Sequence, residues 1–245
     1  MKAKHIFFLA LIATVFSCKK ENMFDIVKTT GKIVIQKRDV TGFNTIYLED
    51  KIDLYITQDS IFKVEVEAGS NLQSLIKTER DGETLKVHNN NKQNWVRGYK
   101  HRIKVYISAP YFKFIDNHGV GTIESINTIT QNEISIRGGN TGDLKIKVNC
   151  NEINCRSHGN GNIYVSGFTK RLVGDFNGTN FLYARDLEIA EFVYINSNSI
   201  GSSYINSPNN GPMDIRLNKD GNVYYKGNPT FIDLSRIGKG NLIKE

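Results

Sequence analysis

Residues 153–173 read INCRSHGNGNIYVSGFTKRLV, and this stretch decides the fold class. Ile153 and Cys155 alternate with polar residues, a turn rich in Gly and Asn follows, and Ile163 and Val165 form a second alternating pair. Alternation with a period of two predicts half-buried strands, and the stretch lacks the period of a helix. It therefore predicts two short strands and two turns in each unit.

The turn of this stretch recurs as a Gly-polar-apolar motif through the second half of the chain. Its copies begin at Gly121, Gly142, Gly161, Thr179, Gly201, Gly221 and Gly240. Their third positions run from Ile123 through Phe181 to Leu242, which is 119 residues in six steps, so the period is close to 20. A fixed period of this size is typical of a solenoid whose coils bury their apolar edges against each other. The Thr179 and Gly201 copies depart from the pattern, which predicts less regular coils there.

The repeats predict an all-β fold, a right-handed parallel β-helix with coils of about 20 residues and longer N-terminal capping strands. An antiparallel sandwich with strands every 8–12 residues or so is the alternative, but it does not require one corner motif in every coil. The corner glycines are predicted to adopt positive φ, and the asparagines to share that conformation and hydrogen-bond along the stack. The predicted inward column is Ile134, Ile136, Leu144, Ile146, Ile153, Ile163, Val165, Ile195, Ile215, Leu217, Val223, Leu234 and Leu242.

The composition agrees with many short strands. The 245 residues include 21 Gly, 27 Asn and only 4 Pro, and 16 of the Gly and 20 of the Asn follow residue 116. A hydrophobic content of 39% disfavours disordered and fibrous chains. Residues 31–117 are poorer in Gly and Asn and predict longer strands that cap the solenoid within the same domain, at residues 32–36, 45–55, 62–67, 84–88 and 103–109.

The N-terminus predicts export and a lipid anchor. Lys2 and Lys4 precede an apolar run at residues 6–16, which is shorter than the roughly 20 residues of a membrane-spanning helix. Ser17 and Cys18 follow and resemble a bacterial lipobox, in which the Cys is acylated. We therefore predict a lipoprotein signal peptide at residues 1–18, a tether at 19–30 and one domain at 31–245; an ordinary signal peptide with an incidental Cys is the alternative.

Export affects how the net charge and the two remaining cysteines are interpreted. The net charge of +7 is modest and scattered, and an exported protein is not expected to bind nucleic acid. Cys150 and Cys155 could pair in an oxidising compartment. Cys155 alternates with Ile153 on an inward strand face, which favours two buried structural thiols over a disulfide.

The sequence also resembles the head GIN domain family. The resemblance rests on Gly-x-Gly-x-Ile corners in series, on Tyr225, Gly227 and Pro229 near the end, and on a motif near the start made of Arg38, Asp39, Val40, Gly42, Phe43 and Ile46. It covers residues 33–244. The resemblance implies an exported single-domain β-helix of Bacteroidetes and their relatives, often a lipoprotein, described as a putative auto-transporter adhesin. It carries over no catalytic residues.

Two pairs of residues have a spacing that bears on metal binding or catalysis. His118 and His158 precede equivalent glycines two coils apart, a separation of about 9–10 Å that bonds of about 2 Å from one metal ion cannot bridge. Solvated corners are the preferred interpretation, so no metal site is predicted. Asp214 and Asp233 are 19 residues apart on adjacent coils, a geometry compatible with hydrolysis or calcium binding. We interpret them as ordinary solvated strand residues.

The loop at residues 89–102 is the preferred ligand candidate. It contains Trp95, Arg97, Tyr99 and Arg102, and aromatic side chains stack on sugar rings while arginines bind acidic groups. The alternative is a long hairpin loop whose Trp packs back onto the solenoid.

The predicted function is a non-catalytic binding module of the cell envelope, without a cofactor, anchored to the outer membrane and presenting its surface to glycan or to a surface protein. A polysaccharide-active lyase or hydrolase with the same fold is the alternative. A carboxylate cluster with a nearby Arg or Lys on one outward face would favour the enzyme, and an isolated Asp pair favours the binding module.

Replacing the predicted acylated residue tests the anchor. We expect Cys18→Ser to move the protein from the membrane fraction to the soluble fraction, because each buried acyl CH₂ group contributes about 0.8 kcal/mol to membrane binding. Fractionation followed by immunoblotting measures this. Retention of the variant in the membrane fraction contradicts the lipoprotein interpretation.

Overall fold

The computed structural model describes residues 30–91, 101–208 and 210–245, which form nineteen strands linked in one sheet. The N-terminal strands are β1 (Ile33–Arg38), β2 (Thr45–Leu48), β3 (Ile52–Gln58), β4 (Lys63–Gly69), β5 (Ile76–Asp81), β6 (Thr84–Asn89), β7 (Ile103–Ala109), β8 (Phe114–Asn117) and β9 (Ile123–Ser125). The later strands are β10 (Ile129–Gly138), β11 (Leu144–Ser157), β12 (Ile163–Gly178), β13 (Leu182–Ala184), β14 (Leu187–Ser199), β15 (Ser203–Asn206), β16 (Met213–Leu217), β17 (Val223–Lys226), β18 (Ile232–Arg236) and β19 (Leu242–Lys244).

From β8 onward every strand pairs in parallel with its equivalent in a neighbouring coil, which confirms the β-solenoid and makes the antiparallel sandwich wrong. A buried position of the repeat passes in register through Ile123, Leu144, Ile163, Leu182, Ser203, Val223 and Leu242. The coils have about 20 residues, as the spacing of the corner motif predicts.

One coil differs from the predicted register by a single residue. The motif beginning at Thr179 has Phe181 at its apolar third position, whereas it is Leu182 that pairs with Ile163 and is buried. Asn180 stands where the neighbouring coils have their corner glycine, and its amide donates to the carbonyls of Gly159 and Asn177. A one-residue shift exchanges the inward and outward faces of a strand, so burial of Leu182 decides the register here.

Each central coil has three faces rather than the two short strands predicted. The first face contains residues 134–138, 153–157, 172–178, 193–199, 213–217 and 232–236. The second contains residues 123–124, 144–147, 163–166, 182–184, 203–206, 223–226 and 242–244. A third face, at residues 129–131, 148–150, 167–169 and 187–189, joins them. The backbone continues to pair with the next coil around one corner, so β11 and β12 are 14 and 16 residues long.

The repeated corner glycines are required by close packing of the coils, which corrects their predicted positive φ. A Cβ atom at Gly161 would lie 2.2 Å from the carbonyl oxygen of Gly142, and one at Gly221 would lie 2.1 Å from that of Gly201. Neither glycine has positive φ. Only hydrogen fits between these coils, because the carbonyl of the preceding coil occupies the place of a side chain.

The asparagines stabilise the stack through their side chains rather than through a left-handed backbone. Among the described residues the only non-glycine with positive φ is Asp50. The amide oxygen of Asn162 accepts the N–H of Phe181, and that of Asn222 accepts the N–H of Asn241. The prediction that asparagines hydrogen-bond along the stack is therefore confirmed, whereas the prediction that they adopt a positive φ is wrong.

The N-terminal strands form a mixed sheet that continues the stack out of sequence order. The coil of β2 and β3 lies between the coil of β6 and β7 and that of β8 and β9, although it precedes both in the chain. The antiparallel strands β5, β4 and β1 extend its edges. The single strand predicted at 45–55 is interrupted at Asp50, which has a φ of 63° and accepts the N–H of Asn89. The strand β5 was not predicted.

The predicted inward column is buried except at the last coil. Leu234 pairs with the buried Ile215 but is 46% exposed, and Leu242 is partly buried. No further coil covers β18 and β19 within the described residues, so their inward side chains face solvent at the open end. Arg236 occupies the next inward position in register with Leu217. A charged group there opposes association of exposed edges.

Cys150 and Cys155 are free and buried, in agreement with the preferred interpretation of structural thiols. Burial raises the pKa of both thiols, which keeps them protonated and unreactive. Within residues 30–91, 101–208 and 210–245, no helix is long and apolar enough to cross a bilayer.

A substitution at a corner tests whether close packing or backbone conformation requires glycine. We expect Gly161→Ala to lower the free energy of unfolding by about 1–3 kcal/mol, because the new methyl group overlaps the carbonyl of Gly142. The control is Gly82→Asn. Gly82 has a φ of 59°, a conformation that Asn tolerates, and open space surrounds its Cβ position. Urea denaturation should show little change for the control; equal losses in the two variants contradict the packing explanation.

Candidate functional site: a tyrosine-lined flank

Four tyrosines form a ladder on the outward side of the second face. Tyr164, Tyr183, Tyr204 and Tyr224 occupy the same position in successive coils. Their neighbouring ring centroids lie 4.8, 5.4 and 5.0 Å apart, and the rings are within 12° of parallel. The spacing follows from that of paired strands, about 4.8 Å, because the rings project from equivalent backbone positions.

The same outward row continues toward the N-terminal cap. Tyr55 and Tyr106 stack there with centroids 5.4 Å apart. The hydroxyl of Tyr106 donates to Glu67 over 2.7 Å, and burial together with this bond raises the pKa of Tyr106 to about 12. Between the two groups of tyrosines the row carries Glu124 and Lys145. The aromatic row is thus interrupted for two coils, and we call this interruption the notch.

A cavity of about 780 Å³ lies over the notch. Its lining includes the tyrosines on one side of the interruption and three residues of each charge, namely Tyr164, Tyr183, Lys145, Lys147, Arg185, Glu124, Asp143 and Asp186. The ammonium nitrogen of Lys145 is 6.0 Å from the centroid of the Tyr164 ring, a favourable contact between a cation and an aromatic face. The notch therefore combines an aromatic wall with donors and acceptors.

A second, smaller cavity of about 360 Å³ adjoins the first and shares Arg185 and Asp186 with it. Glu188, Asn206 and Ser207 contribute polar groups to its lining. The hydroxyl of Ser207 is buried and has no hydrogen-bond partner among the residues that the structure describes. Together the two cavities form a groove along the corner between the second and third faces.

Comparison with protein families agrees with this architecture. The model of the family described as "Putative auto-transporter adhesin, head GIN domain" matches residues 42–229. This chain belongs to the head GIN domain family. Membership of an adhesin family implies a location outside the cytoplasm. Among curated proteins, none matches the chain.

Solved structures share the fold of this head GIN domain. A putative adhesin from Bacteroides fragilis is 23% identical, with a TM-score of 0.77 over 87% of this chain and 97% of the other. A putative adhesin from Parabacteroides merdae is 20% identical, with a TM-score of 0.66 over 89% and 98%. A putative lipid binding protein from Parabacteroides distasonis is 19% identical, with a TM-score of 0.63 over 88% and 97%. At these identities the likeness concerns the fold.

Of the four residues proposed from sequence as ligand contacts, the structure describes only Arg102. Trp95, Arg97 and Tyr99 lie outside the described residues, as does the predicted acylation site Cys18. Arg102 is described, and one of its nitrogens lies 3.0 Å from both oxygens of Asp53. The same carboxylate accepts the N–H of Thr122, so Arg102 is tied to the coil at β9. A role for Arg102 in ligand binding remains a prediction from the sequence.

Asp214 and Asp233 lie in register on adjacent coils, as predicted, and are bridged by an arginine. The guanidinium of Arg216 lies 2.7 Å from Asp214 and 2.9 Å from Asp233. Hydrogen bonding to Asp214 raises the pKa of Arg216, with Asp233 adding to the effect. The arginine compensates the two carboxylates, which in this arrangement form an ion-pair cluster rather than simple solvated residues.

His118 and His158 lie two coils apart, as predicted, but His118 is not a simple solvated corner. Its Nε2 atom is 3.2 Å from the buried carboxylate of Asp116 and 3.1 Å from Arg137, and its ring lies against Tyr47 at 5.0 Å. Arg137 forms an ion pair with Asp116, which raises the pKa of the guanidinium. In the part of the chain that the structure describes, no group of three His, Cys, Asp or Glu residues could hold a metal ion.

The tyrosine ladder was missed from the sequence, although a signal for it was present. The four tyrosines are separated by 19, 21 and 20 residues, which is the spacing of the corner motif. The corner glycines and the inward column do not reveal the ladder, because each tyrosine is the outward residue that follows an inward position.

The Asp116 cluster is expected to stabilise the fold. Asp116→Asn should lower the free energy of unfolding by about 1–3 kcal/mol, because it leaves Arg137 without its charged partner. Asp233→Asn provides a matched control, since its exposed carboxylate also contacts an arginine, and a change within about 0.5 kcal/mol is expected. Thermal and urea unfolding measure both variants. Equal effects contradict a special role for the buried carboxylate.

Proposed function

We propose that this protein is a non-catalytic lipoprotein adhesin of the outer membrane that binds a glycan in the notch. Residues 1–18 direct export, Cys18 carries the lipid, and residues 19–30 link the anchor to the β-solenoid. The family description supports a role in adhesion. The observation that carries the glycan proposal is the aromatic wall of the notch beside its charged residues.

The chemistry of the notch suits a sugar. Within the ladder the ring faces cover one another, so only edges and hydroxyl groups are accessible. Tyr164 ends the ladder, and its outer face is turned toward Lys145 and the cavity. The apolar C–H face of a pyranose can pack on such a ring, while its hydroxyl groups bond to the charged residues around it. A volume of about 780 Å³ accommodates a short oligosaccharide segment.

Outside the notch, neither the Asp214 and Asp233 pair nor Asp116 is arranged for hydrolysis of a glycan. Glycosidases need two carboxyl groups that flank the scissile bond, one of them free to donate a proton. The Asp214 and Asp233 pair instead shares the Arg216 guanidinium, which occupies the space between the carboxylates. The Asp116 carboxylate is 3% exposed and bound by Arg137, so it is not accessible to a polysaccharide.

Binding to a glycan array, using the purified full-length protein in detergent, tests this function. Tyr164→Ala should weaken binding of a recognised glycan about three- to tenfold, because it removes the aromatic ring that borders the cavity at the end of the ladder. Tyr224→Ala is the matched control, since it truncates the same ladder three coils away and does not line the cavity. We expect the control to retain wild-type affinity.

Two outcomes overturn the proposal. Failure to bind any glycan on a diverse array contradicts glycan recognition and favours a protein partner. Equal losses in Tyr164→Ala and Tyr224→Ala, accompanied by equal losses of stability, place the effect in the ladder as a whole rather than in the notch. Tyr164→Phe separates stacking from hydrogen bonding, because it keeps the ring and loses the hydroxyl group.

A further inference from the structure

Arg185 lies where the two cavities of the groove meet. It belongs, with Asp186, to the two-residue turn between β13 and β14, at the corner of the second and third faces. Both residues line both cavities. The guanidinium of Arg185 also lies over the ring of Tyr204, 4.8 Å from its centroid. Arg185 therefore connects the tyrosine ladder to the polar groups of the groove.

The partner of Arg185 comes from a distant coil. Asn206, Lys226 and Glu245 follow Arg185 on one row of the second face, each one coil further along the stack. Three coil steps separate the backbones of Arg185 and Glu245 by about 14 Å. Their side chains nevertheless meet with a nitrogen–oxygen distance of 2.5 Å. Both side chains must therefore extend along the stack, across the outer surface of two intervening coils.

We propose that Arg185 is the carboxylate-binding subsite of the groove, and that the Glu245 side chain occupies it as an internal competitor. The carboxylate of Glu245 then stands in for that of a ligand. The inference rests on the proposed function and names its ligand class, an acidic glycan that carries a sugar carboxylate. Such a ligand is an oligosaccharide that spans the groove, with one sugar ring in the notch and the carboxylate of another sugar on Arg185, where it displaces Glu245.

Displacing the Glu245 carboxylate from Arg185 costs little free energy. The Arg185 and Glu245 side chains are 37% and 29% exposed, and ion pairs at this exposure contribute little because solvent screens them and both long side chains lose freedom. Lys226 is one coil from Glu245 on the same row and offers the released carboxylate another cation. An arginine also suits a planar carboxylate, which it can bind through two parallel hydrogen bonds.

Isothermal titration calorimetry of the full-length protein in detergent tests this assignment. The probes are an oligogalacturonate and its neutral counterpart, in which the carboxylates have been reduced to hydroxymethyl groups. Glu245→Gln should strengthen binding of the acidic probe about three- to fivefold and leave binding of the neutral probe unchanged. Arg185→Gln should remove the preference for the acidic probe.

Glu191→Gln controls for net charge. Glu191 is an exposed carboxylate paired with Lys170 at 3.8 Å, and it does not line the groove, so its replacement removes one negative charge elsewhere. This variant should bind both probes as the wild type does. A matching gain in Glu191→Gln assigns the effect to overall charge and overturns the proposal.

The remaining outcomes distinguish this inference from the proposed function. Equal binding of both probes, with Glu245→Gln indistinguishable from the wild type, overturns the Arg185 subsite and leaves glycan binding in place. Binding of neither probe overturns the acidic-glycan assignment. If the glycan array is then also silent, glycan recognition in the notch is overturned with it.

Discussion

The coils of this solenoid pair with one another in register, strand beside equivalent strand. Adjacent strands in a sheet are separated by about 4.8 Å, so every position in a coil has the same position of the next coil directly beside it. At the corners this spacing brings backbone against backbone. The carbonyl of Gly142 lies where a side chain of Gly161 would be, and that of Gly201 lies where a side chain of Gly221 would be. Glycine recurs because the coils could not otherwise approach closely enough to pair.

The same spacing organises both sides of the coil wall. On the inside it produces an aliphatic column that is closed to water except at the last coil. On the outside it aligns the four stacked tyrosines of the flank, and at the corner it brings the side-chain oxygen of Asn222 to the backbone N–H of Asn241. When the same residue type occupies one position in adjacent coils, amide and aromatic side chains stabilise each other. Side chains of like charge in that arrangement repel each other.

The distribution of charge follows from this rule. Asp214 and Asp233 are adjacent in register, and Arg216 compensates them. Asp116 and Arg137 are also direct neighbours on adjacent coils. In the notch, by contrast, Glu124 and Lys145 interrupt an aromatic row and line an open cavity. Most of the polar residues that could take part in catalysis or ligand binding instead stabilise the stack. The groove, which includes the cavity over the notch, is therefore the preferred site for a ligand.

The solenoid, its period and most of its inward column could be predicted from the sequence, because one corner motif repeated every 20 residues or so has few structural solutions. The sequence also located the Asp214 and Asp233 pair on adjacent coils. It did not determine the position of the β2 and β3 coil, the register at Leu182 or the bridge formed by Arg216. Those depend on which distant segments pack together, and local periodicity carries no such information. Three contacts became visible only in the folded chain. Four tyrosines stack, Glu124 and Lys145 interrupt their row, and the side chain of Arg185 reaches that of Glu245 three coils away. Each of these contacts lies along the stack axis, perpendicular to the chain, where neighbours in space are about 20 or more residues apart in sequence.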